Sequence, residues 1–358
     1  MSKEVRVALD AMGGDHGPSV IVPGAAMALR RNSDLRFLMF GDEAAVRLAV
    51  NEHPELAERT TITHTAVSIR MDDKPSQALR KGRRSSSMWM AIDAVKKGEA
   101  DAAVSAGNTG ALMAMAKICL RTMAAVDRPA LAARWPNARG QSIVLDLGAS
   151  IGADAQHLVD LAIMGSALAR ILLRVQRPTV GLLNVGVEEI KGIEEVKAAG
   201  RILREADFQH MDYRGFVEGD DIGAGTVDVV VAEGFTGNIA LKTAEGTAKL
   251  ISGFLKEAMS STLRSRLGYL LAKPAFDALK ERMDPRRFNG AVFLGLEGIV
   301  IKSHGGADSV SFAGAIDIAR EMAREQLLSK ISEMIAQSQD KRANAFDSEA
   351  AAAAAGSN

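Results

Sequence analysis

AAVSAGNTGALMAMAKICL, residues 102–120, is the stretch on which the reading of the whole chain turns. Ala102-Ala103-Val104 is a short apolar run suited to a buried strand. Ser105-Ala106-Gly107-Asn108-Thr109-Gly110 then turns the chain, and residues 111–120 are strong helix formers. Strand, glycine turn and helix together aim backbone N–H groups at one point. The first turn of a helix leaves donors unpaired, and the macrodipole adds partial positive charge, so such a point suits an anion. Gly107 and Gly110 allow close approach to the backbone, and Ser105, Asn108 and Thr109 add side-chain donors. The plainer role for the same residues is an ordinary turn capped by Asn108 or Thr109.

Working outward, residues 227–232 form a second unit of this kind. They read as a strand that exits through Glu233-Gly234-Phe235-Thr236-Gly237-Asn238 into a helix bearing Lys242. Two such units point to a phosphate-sized anion more strongly than either alone. Other predicted strands also end in polar, glycine-rich exits. Residues 5–9 run into Asp10-Ala11-Met12-Gly13-Gly14-Asp15-His16, and 142–147 end in Asp146-Leu147-Gly148-Ala149-Ser150. Residues 178–185 lead to Lys191, which either reaches into a site at the strand ends or pairs with Glu188 or Glu195. Residues 289–303 return to strand character and end in Lys302-Ser303-His304-Gly305. Strands are also predicted at 35–40, 60–65 and 129–135. Helices are predicted to about residue 31, from about 43, and over 88–97, 156–173, to about 206 and 309–335. This alternation predicts an α/β fold with a mainly parallel doubly wound sheet.

Composition narrows the classes. The 358 residues are 47% hydrophobic and 25% charged, as in a globular protein. Lys plus Arg and Asp plus Glu number 44 each, and aromatics are 4%, which argues against a nucleic-acid partner. No apolar run reads as a membrane span, and MSKEVRVALD lacks a signal-peptide pattern, so a cytoplasmic location is expected. Cys119 is the only cysteine and lies mid-helix among Met113, Met115 and Ile118. It reads as a small core residue rather than a nucleophile. Lys74, Arg80, Lys81, Arg83 and Arg84 meet phosphate or an acidic partner, or else form a solvated face. Asp220-Asp221 reads as a turn.

Residues 239–283 are rich in helix formers. Leu267, Tyr269, Leu270, Leu271 and Phe276 cluster there beside Arg264, Arg266 and Lys273, while Gly268 and Pro274 predict a helix–bend–helix tip. Apolar residues rimmed by cations suit either an anionic bilayer surface or a dimer interface. Residues 338–358 lack apolar periodicity and are expected to be disordered. The expected organisation is thus one domain over 1–337, with a helical projection at about 239–283 and a tail.

Asp10-Ala11-Met12-Gly13-Gly14-Asp15, Ser105-Ala106-Gly107-Asn108-Thr109-Gly110-Ala111, Gly234-Phe235-Thr236-Gly237-Asn238 and Lys302-Ser303-His304-Gly305 occur in this order. Together with Asp73-Lys74-Pro75-Ser76 and Arg80, they resemble the bacterial phosphate acyltransferases of phospholipid synthesis, the PlsX family, over roughly residues 3–335. The resemblance implies transfer of a fatty acyl group from acyl carrier protein to inorganic phosphate, for phosphatidic acid synthesis. It implies a three-layer α/β/α sandwich like that of phosphate acetyltransferase and isocitrate dehydrogenase. It also implies a homodimer, with peripheral contact with the anionic inner face of the cell membrane. The acyl phosphate would pass to an acyl-phosphate:glycerol-3-phosphate acyltransferase. Members usually carry asparagine where Ser150 stands and aspartate where Glu233 stands, so those two are left out of the expected site.

The residue chemistry fits that reaction. Phosphate must be held against a thioester carbonyl, which glycine-turn amides, helix N-termini and a lysine can do. Lys191 and Asn238 are the expected catalytic residues, for phosphate charge and for the oxyanion. Asp10, Gly13, Gly14, Asp15, Ser105, Gly107, Asn108, Thr109, Gly110, Gly237, Lys242 and His304 are expected to bind substrate. Leu267, Tyr269, Leu270, Leu271 and Phe276 are expected to touch membrane. The chemistry calls for no metal or cofactor. The rival readings are a dehydrogenase on the same sheet architecture and a non-enzymatic module that binds acyl groups or phosphate.

Overall fold

The computed structural model describes residues 4–282 and 289–356. The chain opens with β1 (Val5–Asp10), α1 (Pro18–Arg31), β2 (Leu35–Gly41), α2 (Glu43–Asn51) and β3 (Thr60–His64). It continues through α3 (Pro75–Gly82), α4 (Ser87–Lys96), β4 (Ala102–Ser105) and α5 (Thr109–Leu120). Next come β5 (Ala130–Asn137), β6 (Gly140–Leu145), α6 (Ala155–Leu172), β7 (Thr179–Leu183), α7 (Glu194–Ala206) and β8 (Asp212–Val217). Then follow α8 (Gly219–Ala224), β9 (Val229–Val231), α9 (Gly234–Ser260) and α10 (Leu263–Arg282). The last elements are β10 (Ala291–Leu294), β11 (Ile299–Lys302), α11 (Ser309–Arg324) and α12 (Leu327–Gly356).

All the strands join one sheet in the order β3-β2-β1-β4-β11-β10-β5-β6-β9-β7-β8. Seven of its ten pairings are parallel, and the three antiparallel ones, β11–β10, β10–β5 and β5–β6, sit together at the centre. Parallel neighbours need helical crossovers, and the helices cover both faces of the sheet. One face packs on α1, α6, α7, α11 and α12, and the other on α3, α4, α5 and α8. This is the expected three-layer α/β/α architecture, with one refinement. The antiparallel centre makes the β6–β9–β7–β8 half run opposite to the β1–β4–β11 half.

That reversal decides where the exits lie. Lys302 pairs with Ala291, Val292 with both Ile301 and Ala132, and Ala133 with Val144. The last residues of β11 and β6 therefore sit on adjacent rows, with β10 and β5 between them. From that line across the sheet the two halves leave in opposite directions.

Several expectations change. Residues 338–356 are helical rather than disordered, because the far end of α12 has core contacts to make. Ser338 and Ala345 are buried, and Phe346 packs on the core. Arg342 pairs with Asp160 at 2.8 Å, and the Lys341 ammonium donates to the Asp207 carbonyl. The predicted helix over 309–335 breaks at Gln326, whose φ of 54° is left-handed. α10 runs unbroken through Gly268 and Pro274, and the bend expected there falls at residues 261–262 instead. Pro274 removes only one N–H from the ladder, and the carbonyl so freed, that of Leu270, lies on an exposed helix where water can serve it. Asp220 and Asp221 lie in the first turn of α8, where Asp221 forms a capping box with Glu218. The edge strand β8 escapes a pattern reading because only Phe216 and Val217 of it are buried. α6 is long and apolar enough to cross a bilayer, contrary to the sequence expectation, but 78% of it is buried in the fold, so it is a core helix.

Candidate active site

β1, β4 and β11 lie side by side, and their exits meet. The Ser105 hydroxyl donates to Asp10 Oδ2 at 2.7 Å and accepts the Gly107 N–H at 3.0 Å. The Ser303 N–H reaches Ser105 O at 2.9 Å, and the Asp15 N–H reaches Gly305 O at 3.0 Å. Gly13 has to be glycine here: a Cβ would stand 2.7 Å from Asp10 Oδ2 and 2.9 Å from the Gly107 nitrogen. Gly14 has φ 81° and crosses beneath Gly305. His304 is tied down at both ends. Its N–H donates to Asn289 Oδ1, and its Nδ1 accepts from the Gly306 N–H. The structure thus gathers Asp10, Gly13, Gly14, Asp15, Ser105, Gly107 and His304 at one end of three neighbouring strands.

Under this cluster lies Lys302, which is 8% exposed. Its ammonium donates to the carbonyls of Ala106, at 3.3 Å, and Ser303. An ammonium has three N–H groups, so one remains. Burial pushes its pKa down to about 8, against the pull of Asp10 and Asp15, and Lys242 adds to the depression. Burial likewise raises the Asp10 carboxyl, opposed by the Ser87 and Ser105 hydroxyls, the Met12 N–H and Lys302. Asp10 Oδ1 is buried without a hydrogen-bond partner. Sequence reading placed Lys302 only in a motif; its position as the last residue of a strand ending at the cluster was the available signal.

At α5 the side chain of Asn108 is committed to structure. Its Oδ1 caps the helix by accepting the Ala111 N–H, and its Nδ2 donates to the carbonyls of Met71 and Asp73. It is a cap and a tether for the 71–73 loop rather than a free ligand. The N–H groups of Thr109 and Gly110, in the first turn, have no intrahelical acceptor.

The second unit is built differently. The Asp146 carboxylate accepts the N–H groups of Leu131, Gly148, Ala149 and Ser150 and the Ser150 hydroxyl. Glu233 caps α9, accepting from the N–H groups of Phe235, Thr236 and Gly152 and from the Thr236 hydroxyl. Burial pushes the Glu233 carboxyl up, but these donations outweigh it and hold it below the ordinary range. The chain's own carboxylates therefore take up donors that the sequence offered to a ligand. Ser150 and Glu233, the two positions left out of the expected site, both belong to this internal network. Gly237 packs directly on the Asp146 carbonyl, where a Cβ would come within 1.9 Å. The Asn238 amide donates to Leu147 O at 3.2 Å, leaving its second N–H available.

Of the two readings of Lys191, the structure shows the ion pair: its ammonium lies 2.8 Å from Glu188, and that bond raises its pKa. Lys242 pairs with Glu245 at 2.9 Å and is close enough to Lys302 to act on it electrostatically. α9 thus begins with Asn238 beside the β6 exit and carries Lys242 one turn further on. Leu267, Leu270 and Leu271 are exposed on α10, and the Tyr269 and Phe276 rings meet at a tilt of 36°, 5.2 Å between centroids. Among the described residues, no three His, Cys, Asp or Glu side chains are grouped as metal ligands would be.

A family model described as "Fatty acid synthesis protein" matches residues 5–330. A protein of Beijerinckia indica subsp. indica named "Phosphate acyltransferase" is 64% identical over 343 residues, covering 96% of this chain and 89% of that one. A protein of the same name from Azorhizobium caulinodans is 64% identical, covering 94% of each chain. A solved phosphotransacetylase from Streptococcus pyogenes superposes with a TM-score of 0.59 at 17% identity, covering 91% of this chain and 94% of that one. The EutD phosphotransacetylase from Staphylococcus aureus gives 0.55 at 16% identity, covering 90% and 94%. At such low identity these two structures speak for the fold alone.

Proposed function

Because this chain belongs to the fatty acid synthesis protein family, we propose that it transfers a fatty acyl group from acyl carrier protein to inorganic phosphate. The acyl phosphate would feed phosphatidic acid synthesis. The observation that carries this reading is the open donor set at the β1–β4–β11 exits. The Thr109 and Gly110 N–H groups and the spare N–H of Lys302 lie at one end of the sheet, and Lys242, itself paired with Glu245, adds positive charge there. These groups suit a dianion, which in turn restores the proton affinity of Lys302. A phosphate oxygen attacks the thioester carbonyl, the carbonyl becomes a tetrahedral oxyanion, the C–S bond breaks, and the thiolate leaves to be protonated. The free N–H of Asn238 is the donor we assign to the oxyanion. Lys191 is assigned to phosphate charge, which requires it to leave Glu188.

The deciding experiment is mass spectrometry of the products from palmitoyl carrier protein and phosphate. Acyl phosphate and free carrier are expected; intact thioester after incubation with folded protein overturns the reading. A nicotinamide cofactor that stabilises the protein against heat where phosphate does not would favour a dehydrogenase instead.

We also assign the projecting α9–α10 hairpin to homodimer and membrane contacts, at the inner face of the cell membrane. α9 leaves the body after its first turns and packs chiefly on α10. Leu250, Ile251 and Phe254 on α9 and Leu267, Leu270 and Leu271 on α10 are exposed, and Arg264, Arg266 and Lys273 stand close by in sequence. Leu270→Glu with Leu271→Glu is expected to release the protein from anionic liposomes while leaving the dimer and soluble turnover intact. Loss of the dimer instead would make α10 an interface.

A further inference from the structure

We propose that the outer face of α3, α4 and α5 is the docking surface for an acidic carrier protein. This rests on the acyl-transfer reading above and names the face that receives the acyl carrier protein. Residues 74–97 hold seven cations and a single carboxylate, Asp93, in a chain whose charges balance overall. Lys74, Arg80, Lys81, Arg83, Arg84 and Lys96 are all exposed. Among the described residues, none of these six has a carboxylate within ion-pair distance, whereas arginines elsewhere are commonly paired: Arg6 with Asp101, Arg30 with Glu55, Arg320 with Asp34.

Helix ends account for part of this. Arg80 and Lys81 stand in the last turn of α3 and Lys96 in that of α4, where cations answer the macrodipole. They do not account for Arg83 and Arg84, which lie beyond α3, nor for the missing carboxylates. A cavity of about 390 Å³ sits among these cations. Met90, Asp93 and Lys97, spaced along one side of α4, form one wall of it, and Arg83, Arg84 and Ile118 help to close it. The Arg83 guanidinium lies 6.0 Å from the centre of the Trp89 ring, a position that holds a cation at the cavity edge. Ile118 is 45% exposed there. A mostly polar, cation-rich cavity with Ile118 and Met90 at its side fits a protein surface that carries carboxylates and a few apolar side chains; a bare phosphate would not use the apolar part.

The face also adjoins the candidate site. Ser87, three residues after Arg84, stands against Asp10. Met88 packs on Gly107, and Pro75, at the start of α3, packs on Gly110. A carrier seated on this face would therefore have a short path for its acyl thioester to the Thr109–Gly110 turn.

The test compares the wild-type protein with Arg84→Glu/Lys96→Glu, neither residue belonging to the anion cluster. Lys249→Glu/Lys256→Glu on the hairpin serves as a control of equal charge change. Binding of acyl carrier protein to the full chain is measured by titration at several salt concentrations, and phosphate binding and sedimentation are measured on the same samples. Wild-type affinity is expected to fall with salt. The face variant should lose about tenfold or more in carrier affinity while keeping phosphate binding and oligomeric state, and the hairpin control should bind as wild type. Unchanged carrier affinity in the face variant, equal loss in the hairpin control, or loss of phosphate binding overturns the docking proposal. Conversion of the face variant to monomers would make this face a contact between copies and overturn it as well. Failure of the acyl-transfer reading registers separately, as wild-type protein that makes no acyl phosphate whatever it binds.

Discussion

The turn from β4 into α5 and the turn from β9 into α9 carry the same kinds of residue, yet their helix N-termini end in opposite states. At α5 the capping side chain is a neutral amide, Asn108, and the N–H groups of Thr109 and Gly110 lack an intrahelical acceptor. At α9 the cap is a carboxylate, Glu233, which takes the N–H groups of both Phe235 and Thr236. An anion from solution finds donors at the first and another anion at the second. A glycine turn before a helix is therefore only half of an anion site; the charge of the cap decides whether the donors stay open. The same contrast holds one strand away. Lys302 brings a buried cation to the first cluster, while Asp146 brings a buried carboxylate to the second.

The sharpest way to break this contrast is to remove Lys302. Lys302→Met keeps the bulk of the side chain and deletes the charge beneath the cluster. Turnover is expected to fall about a hundredfold or more, in line with the loss of a fixed electrostatic donor, and to do so through the KM for phosphate as well as kcat. Near-normal phosphate kinetics in a folded variant would remove the first cluster from the mechanism. The wild-type pH profile tests the same group. With its pKa at about 8, Lys302 sheds its proton as pH rises, so the KM for phosphate should climb above about pH 8, and the variant should not show that climb. Folding stability has the opposite sign. From about 8 up to the ordinary 10.5 the unfolded chain holds the proton and the folded one does not, so this group's contribution makes the fold more stable with rising pH.

Next in size is the second cluster's share of the chemistry. Asn238→Ala removes the amide whose spare N–H is assigned to the oxyanion, and Lys191→Ala removes the cation on the β7–α7 loop. Each is expected to cost about a hundredfold in turnover. Single-turnover kinetics would separate the two, because Asn238 should slow the chemical step while Lys191 should weaken phosphate capture. Two folded variants with near wild-type rates would leave the first cluster to act alone.

The fold was legible in the sequence wherever burial imposes a pattern. β1, β2 and β4 are nearly continuous apolar runs, and the residues that follow β1, β4 and β11 announce their turns by glycine and polar side chains. What stayed hidden depended on distant partners. The helicity of residues 338–356 rests on Asp160 and Asp207, more than a hundred residues away. The antiparallel centre depends on how β10 and β5 pair, which no local pattern states. The candidate site divides the same way. Gly13, Ser105 and Gly107 stand out by spacing, but whether a helix N-terminus is open or filled is a matter of side-chain geometry, and Glu233 read as one more polar residue in a turn.

Glu233 supplies the next, smaller test. If it only caps α9, Glu233→Ala should cost about 1 kcal/mol of stability, seen as a lower Tm, with turnover close to wild type. Glu233→Asp keeps a capping carboxylate and should recover the stability. A large fall in turnover without a fall in Tm would show that Glu233 handles substrate, and the contrast between the two turns would fail.

The smallest effect is expected on α5 itself, from Cys119→Ala, and it bears on whether phosphate attacks the thioester directly. Cys119, toward the far end of α5, and Ser105, inside the first cluster, are nucleophiles by type, and neither is poised to act. Cys119 is 1% exposed, and its pKa is pushed up to about 11, first by burial and then by Asp93, so the thiolate is scarce at neutral pH. Ser105 is 2% exposed; its proton is held by Asp10, and its oxygen is occupied by the Gly107 N–H. Cys119→Ala should therefore keep most of the activity and lose about 1 kcal/mol of stability or less, as small core truncations do. Acid quenching during turnover, followed by digestion and mass analysis, gives the complementary reading. Direct attack leaves no acylated peptide, whereas an acyl group on Cys119 or Ser105 that forms and decays at the rate of turnover would make the reaction two displacements and recast the first cluster as a nucleophile's setting.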